Sequence, residues 1–512
     1  MAAVERLPAE FTTRAKRGEE EMRTFVMGIG LLLLGRLPLM ASAQLSGQSV
    51  DSTNSTVFWV ADFYRAILDY HPLVKQASLL NSEAQQEVLQ ARGAFDPKLF
   101  SAYDRKEFGN SLYYDKWQSG VSIPIRPAGI DLKMTYDRNR GEYVNPEDRV
   151  PETGLATLGI RVPIGQGLLI DARRNALRQA QLAVTLADAD RLKLINKTLY
   201  EATKTYWEWY LAHQQFQLLQ AGYQLAQTRF RAVQQRALLG DAAAIDTTEA
   251  LITTQDRLVQ LQQAEVNLNN ARLRLSVFLW NSDEVSGQPK PVEIPPSVVP
   301  QSILVDHIPD DFLHNLLGRA IAQHPELLKL TTKGRQLALE ERFQRSLLQP
   351  QLALNASLLS RTPQPGLGYD WTSYYSFRTD NHKIGVDLTF PLFLRKERGK
   401  LRQVQLKTQQ LKLAQKQTLR DIENEVQTSW NELNALKSQI SIQQQTVLNQ
   451  RTLLQAEQQK FELGESSLFL VNSRESKLIE LEIKLAELRT KHQKAVASLW
   501  YLAGTNPETQ LP

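Results

Sequence analysis

Apolar residues recur every seven positions along two long stretches of the chain. In the second half they are Leu419, Val426, Leu433, Ile440, Val447, Leu454 and Phe461, and 224 residues earlier they are Ile195, Ala202, Trp209, Phe216, Tyr223, Phe230 and Ala237. A strict seven-residue spacing keeps an apolar seam facing a partner helix only when the helices wrap around each other as a coiled coil. The spacing therefore predicts two long helices, 172–238 and 396–462, and the constant offset indicates a tandem duplication.

Shorter helices are predicted on both sides of each long helix. The predicted ranges are 58–94, 244–280, 311–347 and 468–502. At 1.5 Å per residue, a long helix of this size extends about 100 Å. Each short helix covers about half of that length, so two of them, stacked end to end, match one long helix. Such long helices are typical of an extended bundle or tube and not of a globular core.

Alternating apolar and polar residues separate the first helix from the long helix in each half. The segment 384–390 reads IGVDLTF, 351–360 reads QLALNASLLS, and 158–162 reads LGIRV. A membrane-spanning strand needs 9–11 residues that alternate in this way. The pattern predicts two strands in each half, within 96–164 and 351–392.

The first half carries one additional alternating region. The segment 130–136 reads IDLKMTY and follows the apolar segment 121–125. It predicts an extra hairpin of about 25 residues. Two placements stay open at this point: the hairpin joins the other strands, or it stands above them as a loop.

Four strands per chain are too few to close a barrel, since bacterial outer-membrane barrels start at about eight strands. An open sheet edge inside lipid leaves backbone groups without hydrogen bonds, at a cost of several kcal/mol each. If these strands enter a membrane, several copies of the chain must share one barrel. The long apolar seams need neighbours for the same reason.

The N-terminal region has the pattern of a secretory signal. The segment 25–34 reads FVMGIGLLLL, follows Arg23 and precedes Ala41-Ser42-Ala43. We expect a signal peptide over residues 1–43, with Met22 as an alternative start. The remaining chain divides into a first repeat, a proline-rich connector, a second repeat and a tail, over 44–280, 281–310, 311–504 and 505–512.

Composition excludes several kinds of chemistry. The chain of 512 residues has no cysteine, and its net charge of +5 is spread along the sequence, which speaks against a nucleic-acid partner. None of its seven histidines belongs to an HExxH motif, and no phosphate-binding or nucleophile motif is present. We therefore expect no enzyme activity, no cofactor and no metal. His71 and His324 each precede proline, which favours a role at a turn or helix start.

These features resemble the TolC-type outer-membrane efflux protein family over residues 58–504. The resemblance depends on the paired His-Pro openings, on Val162-Pro163-Ile164 and Phe390-Pro391-Leu392 before the long helices, and on the glycine turns after them. It implies a mainly α fold with β-strands, a homotrimer with a shared twelve-stranded outer-membrane barrel, and a twelve-helix tunnel in the periplasm. It also implies passive export from an inner-membrane pump or ABC translocator through a periplasmic adaptor. The cargo stays open.

The resemblance implies three sets of site residues. Adaptors would dock at the two helical turns, Leu239, Gly240, Asp241, Leu463, Gly464 and Glu465. A periplasmic constriction would involve Asp246, Glu249, Leu470, Asn472, Ser473 and Glu475. The family's aspartate ring is missing, because Leu470 and Ser473 occupy the positions of its aspartates. For Asp246 and Glu249, which follow the first turn, capping of the next helix is favoured over a role in the pore. Arg161, Asp387 and Thr389 either line a barrel lumen or lie on a solvated edge.

Two other functions compete with the export channel. A soluble periplasmic adaptor or scaffold also has a secretory signal and a long helical hairpin, but usually one hairpin flanked by small β-domains. A secreted enzyme would need a convergent polar cluster, which the sequence does not indicate. The number of helical hairpins separates the channel from the adaptor.

Overall fold

The computed structural model describes residues 56–240, 243–283, 287–303, 311–362 and 375–505. Its helices are α1 (Val60–Tyr70), α2 (Pro72–Gly93), α3 (Ala172–Leu238), α4 (Ala244–Ser276), α5 (Asp311–Gln323), α6 (Pro325–Ser346), α7 (Arg395–Glu462) and α8 (Leu468–Leu502). Its strands are β1 (Val57–Phe58), β2 (Lys98–Phe108), β3 (Ser111–Pro124), β4 (Asp131–Arg140), β5 (Leu155–Pro163), β6 (Trp280–Ser282), β7 (Pro289–Pro291), β8 (Val299–Pro300), β9 (Gln351–Arg361) and β10 (His382–Thr389). The signal segment 1–43, Asp241, parts of the connector and most of the tail lie outside the described residues.

Two long helices, α3 and α7, form the centre of the two repeats. Asp171 caps α3 by accepting a hydrogen bond from the backbone N–H of Arg174 at 2.7 Å. The apolar seam of α7 is buried from Val426 to Leu454, whereas the seam of α3 is fully buried at Ala202 and Trp209 and half-buried at its other five positions. Each long helix packs against the short helix before the strands and the short helix after the turn. The chain therefore has two helical hairpins, as the duplicated heptads predicted.

The short helices stack end to end beside the long ones. At the junction in the first repeat, the ring of His71 at the start of α2 stacks on Phe278, just after α4, with centroids 5.9 Å apart. In the second repeat, His324 at the start of α6 lies directly against Gly504 at the end of α8. In both repeats the histidine that precedes the second short helix thus lies at this joint.

The first helix of each repeat is broken, and the prediction of continuous helices over 58–94 and 311–347 was wrong. The breaks occur at His71 and His324, where Pro72 and Pro325 begin new helices. Proline is accommodated at the first turn of a helix but cannot donate the backbone hydrogen bond that a helix interior requires. Each histidine ring instead accepts a backbone N–H, from Leu73 and Glu326 at 3.1 and 3.2 Å.

Six strands form one antiparallel sheet in the order β10-β9-β5-β4-β3-β2. The two repeats meet where β5 pairs with β9, over a register in which Leu158 lies opposite Leu358. The extra hairpin of the first repeat consists of β3 and β4, and it joins this sheet because β4 pairs with β5 and β3 pairs with β2. The estimate of four strands per chain is therefore too low by two.

The described part of the connector contains the short strands β7 and β8 and packs against the first repeat. Its strand β8 lies parallel to β1, and Gln301 accepts a hydrogen bond from the backbone N–H of Val60 at 3.0 Å. The aromatic core beneath it contains Phe63, Tyr206 and Trp209, all fully buried. None of the helices in the described ranges is long and apolar enough to cross a membrane.

Candidate functional site: the sheet faces and the helical turns

The six-stranded sheet has one apolar face and one polar face. The apolar face carries side chains from all six strands: Leu99, Trp117, Met134, Ile160, Leu354 and Val386 are among them. Its outermost members are open, and Ile384, Val386 and Leu388 of β10 are each about two-thirds exposed. A contiguous apolar surface of this kind marks contact with a membrane or another protein.

The opposite face contains charged and amide side chains. Arg161 of β5 lies opposite Asn355 of β9, which in turn lies opposite Gly385 of β10. The side chain of Asn355 donates to Asp387 at 2.7 Å. Arg161, Asp387 and Thr389, the three predicted lumen residues, line one cavity of about 260 Å³ where the sheet meets the helices.

Residues that the sequence analysis did not single out complete this cavity. Asp131 of β4 forms an ion pair with Arg173 of α3 at 2.8 Å, and Asp171 lies beside it. The pairing of Asp131 with Arg161 across the β4–β5 register brings a carboxylate and a guanidinium to one face. The alternation that places Asp131 in IDLKMTY and Arg161 in LGIRV on polar positions was visible in the sequence, but the position of Arg173 depends on how α3 leaves the sheet.

The two helical turns expose large apolar side chains beside a glycine in the left-handed conformation. Leu239 and Leu463 are each 76% exposed. Gly240 has a φ of 85° and Gly464 a φ of 79°, values that glycine adopts without the steric cost a Cβ atom imposes. After α7, the backbone N–H of Glu465 donates to the carbonyl of Lys460 at 2.8 Å, which closes a Schellman motif.

The two turns lie next to each other. Val233 of α3, Ala250 of α4 and Leu468 of α8 form a buried cluster, against which Phe230 and Phe461 pack. This cluster connects the end of the first hairpin to the end of the second. The predicted docking residues other than Asp241 therefore belong to one continuous tip.

Two of the predicted constriction residues, Asn472 and Glu475, are buried between helices. Arg229 of α3 donates to Glu475 at 2.5 Å and to Asn472 at 2.8 Å. Arg257 of α4, itself buried, donates to Ser476 at 2.6 Å. This tip network of Arg229, Arg257, Asn472, Glu475 and Ser476 joins the two hairpins through polar contacts. Sequence reasoning missed both arginines, since nothing in a single sequence distinguishes a buried arginine from the solvated ones on the same helices.

The remaining constriction candidates have different surroundings. Leu470 and Ser473 are exposed, whereas Asp246 and Glu249 are half-buried on α4. The expectation that Asp246 or Glu249 caps this helix was wrong, because the N-cap residue is Ala243 and no side chain caps it. Asp246 lies in the first turn, where its carboxylate interacts favourably with the positive end of the helix dipole.

Burial lowers the pKa of both proline-preceding histidines. For His71 the desolvation of the ring outweighs a hydrogen bond with the backbone of Val277, which raises the pKa. For His324 the same burial outweighs the nearby carboxylate of Glu326. Both rings therefore favour the neutral form, which can accept a backbone N–H. Within the described ranges, no group of three or more histidine, aspartate or glutamate side chains could hold a metal ion.

The sequence matches the family model for outer membrane efflux proteins over residues 129–279 and 316–505. These ranges include β4, β5, the hairpin of α3 and α4, and nearly all of the second repeat. A comparison with curated proteins gives no match.

Solved outer membrane channels share the fold at low sequence identity. The Neisseria gonorrhoeae channel MtrE, solved in its open state, is 13% identical with a TM-score of 0.63, covering 93% of this chain and 98% of that one. The Campylobacter jejuni channel CmeC is 12% identical with a TM-score of 0.59, covering 93% and 94%. The Vibrio cholerae protein VceC is 14% identical with a TM-score of 0.59, covering 87% and 96%.

The family match and the two complete hairpins support the channel and give no support to the soluble adaptor. The apolar sheet face is the part suited to lipid, and the two hairpins are the helical part that extends from it. The chain belongs to the outer membrane efflux protein family, and solved outer membrane channels share its fold.

Proposed function

We propose that three copies of the chain assemble into a passive export duct that crosses the outer membrane and the periplasm. The observation that carries the proposal is the two-faced sheet, whose apolar side is exposed and whose two outer strands, β2 and β10, each have one neighbour among the described residues. An unpaired strand edge in lipid costs several kcal/mol per backbone group. Sharing one barrel among three copies removes those edges, with the apolar face toward lipid and the polar face toward the lumen.

The duct supplies no chemistry of its own. Arg161, Asp387 and Thr389 on the polar face contact the passing cargo through charge and hydrogen bonds, so they influence its passage and leave its covalent structure unchanged. An inner-membrane pump or ABC translocator provides the energy and selects the cargo.

The helical tip is the docking surface for a periplasmic adaptor. Leu239 and Leu463 present apolar side chains on adjacent turns, each with a glycine in the left-handed conformation. A helical hairpin of the adaptor gains apolar contact area against these leucines, while Glu465 offers a charge at the rim. The tip network lies immediately above this surface, where it holds the two hairpins together at the periplasmic constriction.

Channel formation is tested by reconstitution of the purified protein into planar lipid bilayers. We expect discrete conductance steps and a native mass in detergent three times that of the mature chain. A folded monomer that stays in aqueous buffer without detergent, and that adds no conductance to the bilayer, contradicts the proposal.

Adaptor docking is tested separately with cysteines, since the chain has none of its own. Leu463→Cys and Glu465→Cys are expected to crosslink in the intact envelope to a periplasmic protein with a long helical hairpin. Leu413→Cys is the matched control, because its exposed leucine lies on the same helix far from the turn. Equal capture from all three positions, or capture only from Leu413→Cys, rejects the tip as the docking surface.

A further inference from the structure

The sheet edges determine how many strands a shared barrel contains. Because β3 pairs with β4 from Asp115 opposite Arg140 to Pro124 opposite Asp131, the outer edge of β4 is already occupied within the chain. Side chains reinforce this pairing: Gln118 donates to Asp137 at 2.7 Å, and the rings of Trp117 and Tyr136 meet edge to face with centroids 5.7 Å apart. The hairpin of β2 and β3 is therefore part of the sheet, and the edge that faces a neighbouring copy belongs to β2.

We infer that β10 of one copy pairs with β2 of the next, so that three copies form an eighteen-stranded barrel and not the twelve-stranded one that the resemblance implies. This inference rests on the proposed trimer. Strand directions agree with it, because β2 leaves the helical end of the sheet and β10 returns to it, which makes the new pair antiparallel.

The side chains at the two edges are complementary in one register. Setting Lys98 of β2 opposite Asp387 of β10 pairs a cation with a carboxylate on the polar face. The same register places Leu99 opposite Val386 on the apolar face, where their side chains are 83% and 64% exposed in the single chain. It also makes Asp104 a diagonal neighbour of Lys383, within reach for side-chain contact. Both faces of the sheet thus continue without interruption into the next copy.

Paired cysteines in the full-length channel test the inference in native membranes. Val386→Cys is combined with a second cysteine at Leu99, Ser101 or Tyr103 on the same face of β2, and with Phe100→Cys on the opposite face. A disulfide requires Cα atoms within about 7 Å, so strand pairing confines crosslinks to the same-face positions near register. We expect Leu99→Cys to form covalent dimers and trimers with at least tenfold the yield of Phe100→Cys.

A third pair distinguishes the smaller barrel. Met134 lies on the apolar face of β4 at the level of Leu99, so Met134→Cys with Val386→Cys reports closure through β4. Crosslinks between Met134→Cys and Val386→Cys overturn the eighteen-stranded barrel and leave the trimer intact. The same conclusion holds if neither β2 nor β4 gives crosslinks while a lysine-reactive reagent still joins the cysteine-free parent into trimers. No oligomer with any reagent refutes the proposed trimer itself.

Discussion

Breaking the buried ion pair between Arg229 and Glu475 provides a quantitative test of the tip network. Glu475→Gln keeps the size of the side chain and removes its charge, which leaves the guanidinium of Arg229 buried without a carboxylate. The two side chains are 14% and 5% exposed, and their closest N–O distance is 2.5 Å. Two opposite charges about 4 Å apart interact by about 4 kcal/mol at an effective dielectric constant of 20.

That magnitude agrees with the loss of about 3–5 kcal/mol observed when one partner of a buried pair is removed. Since 1.4 kcal/mol corresponds to a factor of ten, the open state of the tip should become about a thousandfold more populated. Hydrogen exchange of the backbone amides in the second turns of α4 and α8 measures that population directly. We expect protection to fall there and to stay unchanged in the aromatic core around Trp209.

The double variant Arg229→Met/Glu475→Leu is the control. Replacing both charges with apolar side chains of similar volume leaves no unpaired charge, and in other proteins this exchange is neutral or stabilising. Most of the lost protection should therefore return. If Glu475→Gln changes the hydrogen-exchange protection of these amides by less than tenfold, or if the double variant loses as much protection as Glu475→Gln, the view that the pair holds the hairpins together is refuted.

Three further outcomes follow from the described geometry. Burial lowers the pKa of His71 and His324, so their contribution to the free energy of unfolding should be constant above about pH 6.5 and fall as the pH drops toward the lowered folded pKa. The double variant His71→Asn/His324→Asn retains a side chain that can cap each helix, an interaction that stabilises by about 1 kcal/mol, and it should flatten this decline in denaturant titrations. Val386→Lys should destabilise the channel in lipid by about 2–4 kcal/mol, while Gly385→Lys on the polar face changes thermal stability little, and equal losses would contradict the assignment of the faces. Gly464→Ala should lower the unfolding free energy by about 1–2 kcal/mol. The added Cβ atom contacts no other residue, so the cost comes from the left-handed backbone conformation alone, and an unchanged melting temperature would show that the turn relaxes.

The long helices and their turns were readable from the amino-acid sequence. The heptad positions from Val426 to Leu454 are buried, because side chains seven residues apart share one face of a supercoiled helix whatever the remainder of the fold does. Gly240 and Gly464 end these helices through a local backbone conformation. The alternation around Val386 likewise assigned residues to two faces, since the period of a strand is two.

Tertiary structure decided the features that join distant segments. The extra hairpin of β3 and β4 joined the sheet because β4 pairs with β5 and β3 pairs with β2, and alternation alone does not determine which strands become neighbours. The burial of Glu475 and its pairing with Arg229 depend on how α8 of one hairpin packs against α3 of the other. Helix ends and strand faces follow from interactions within a few residues, whereas strand order and buried charge pairs follow from contacts between segments more than two hundred residues apart in the chain.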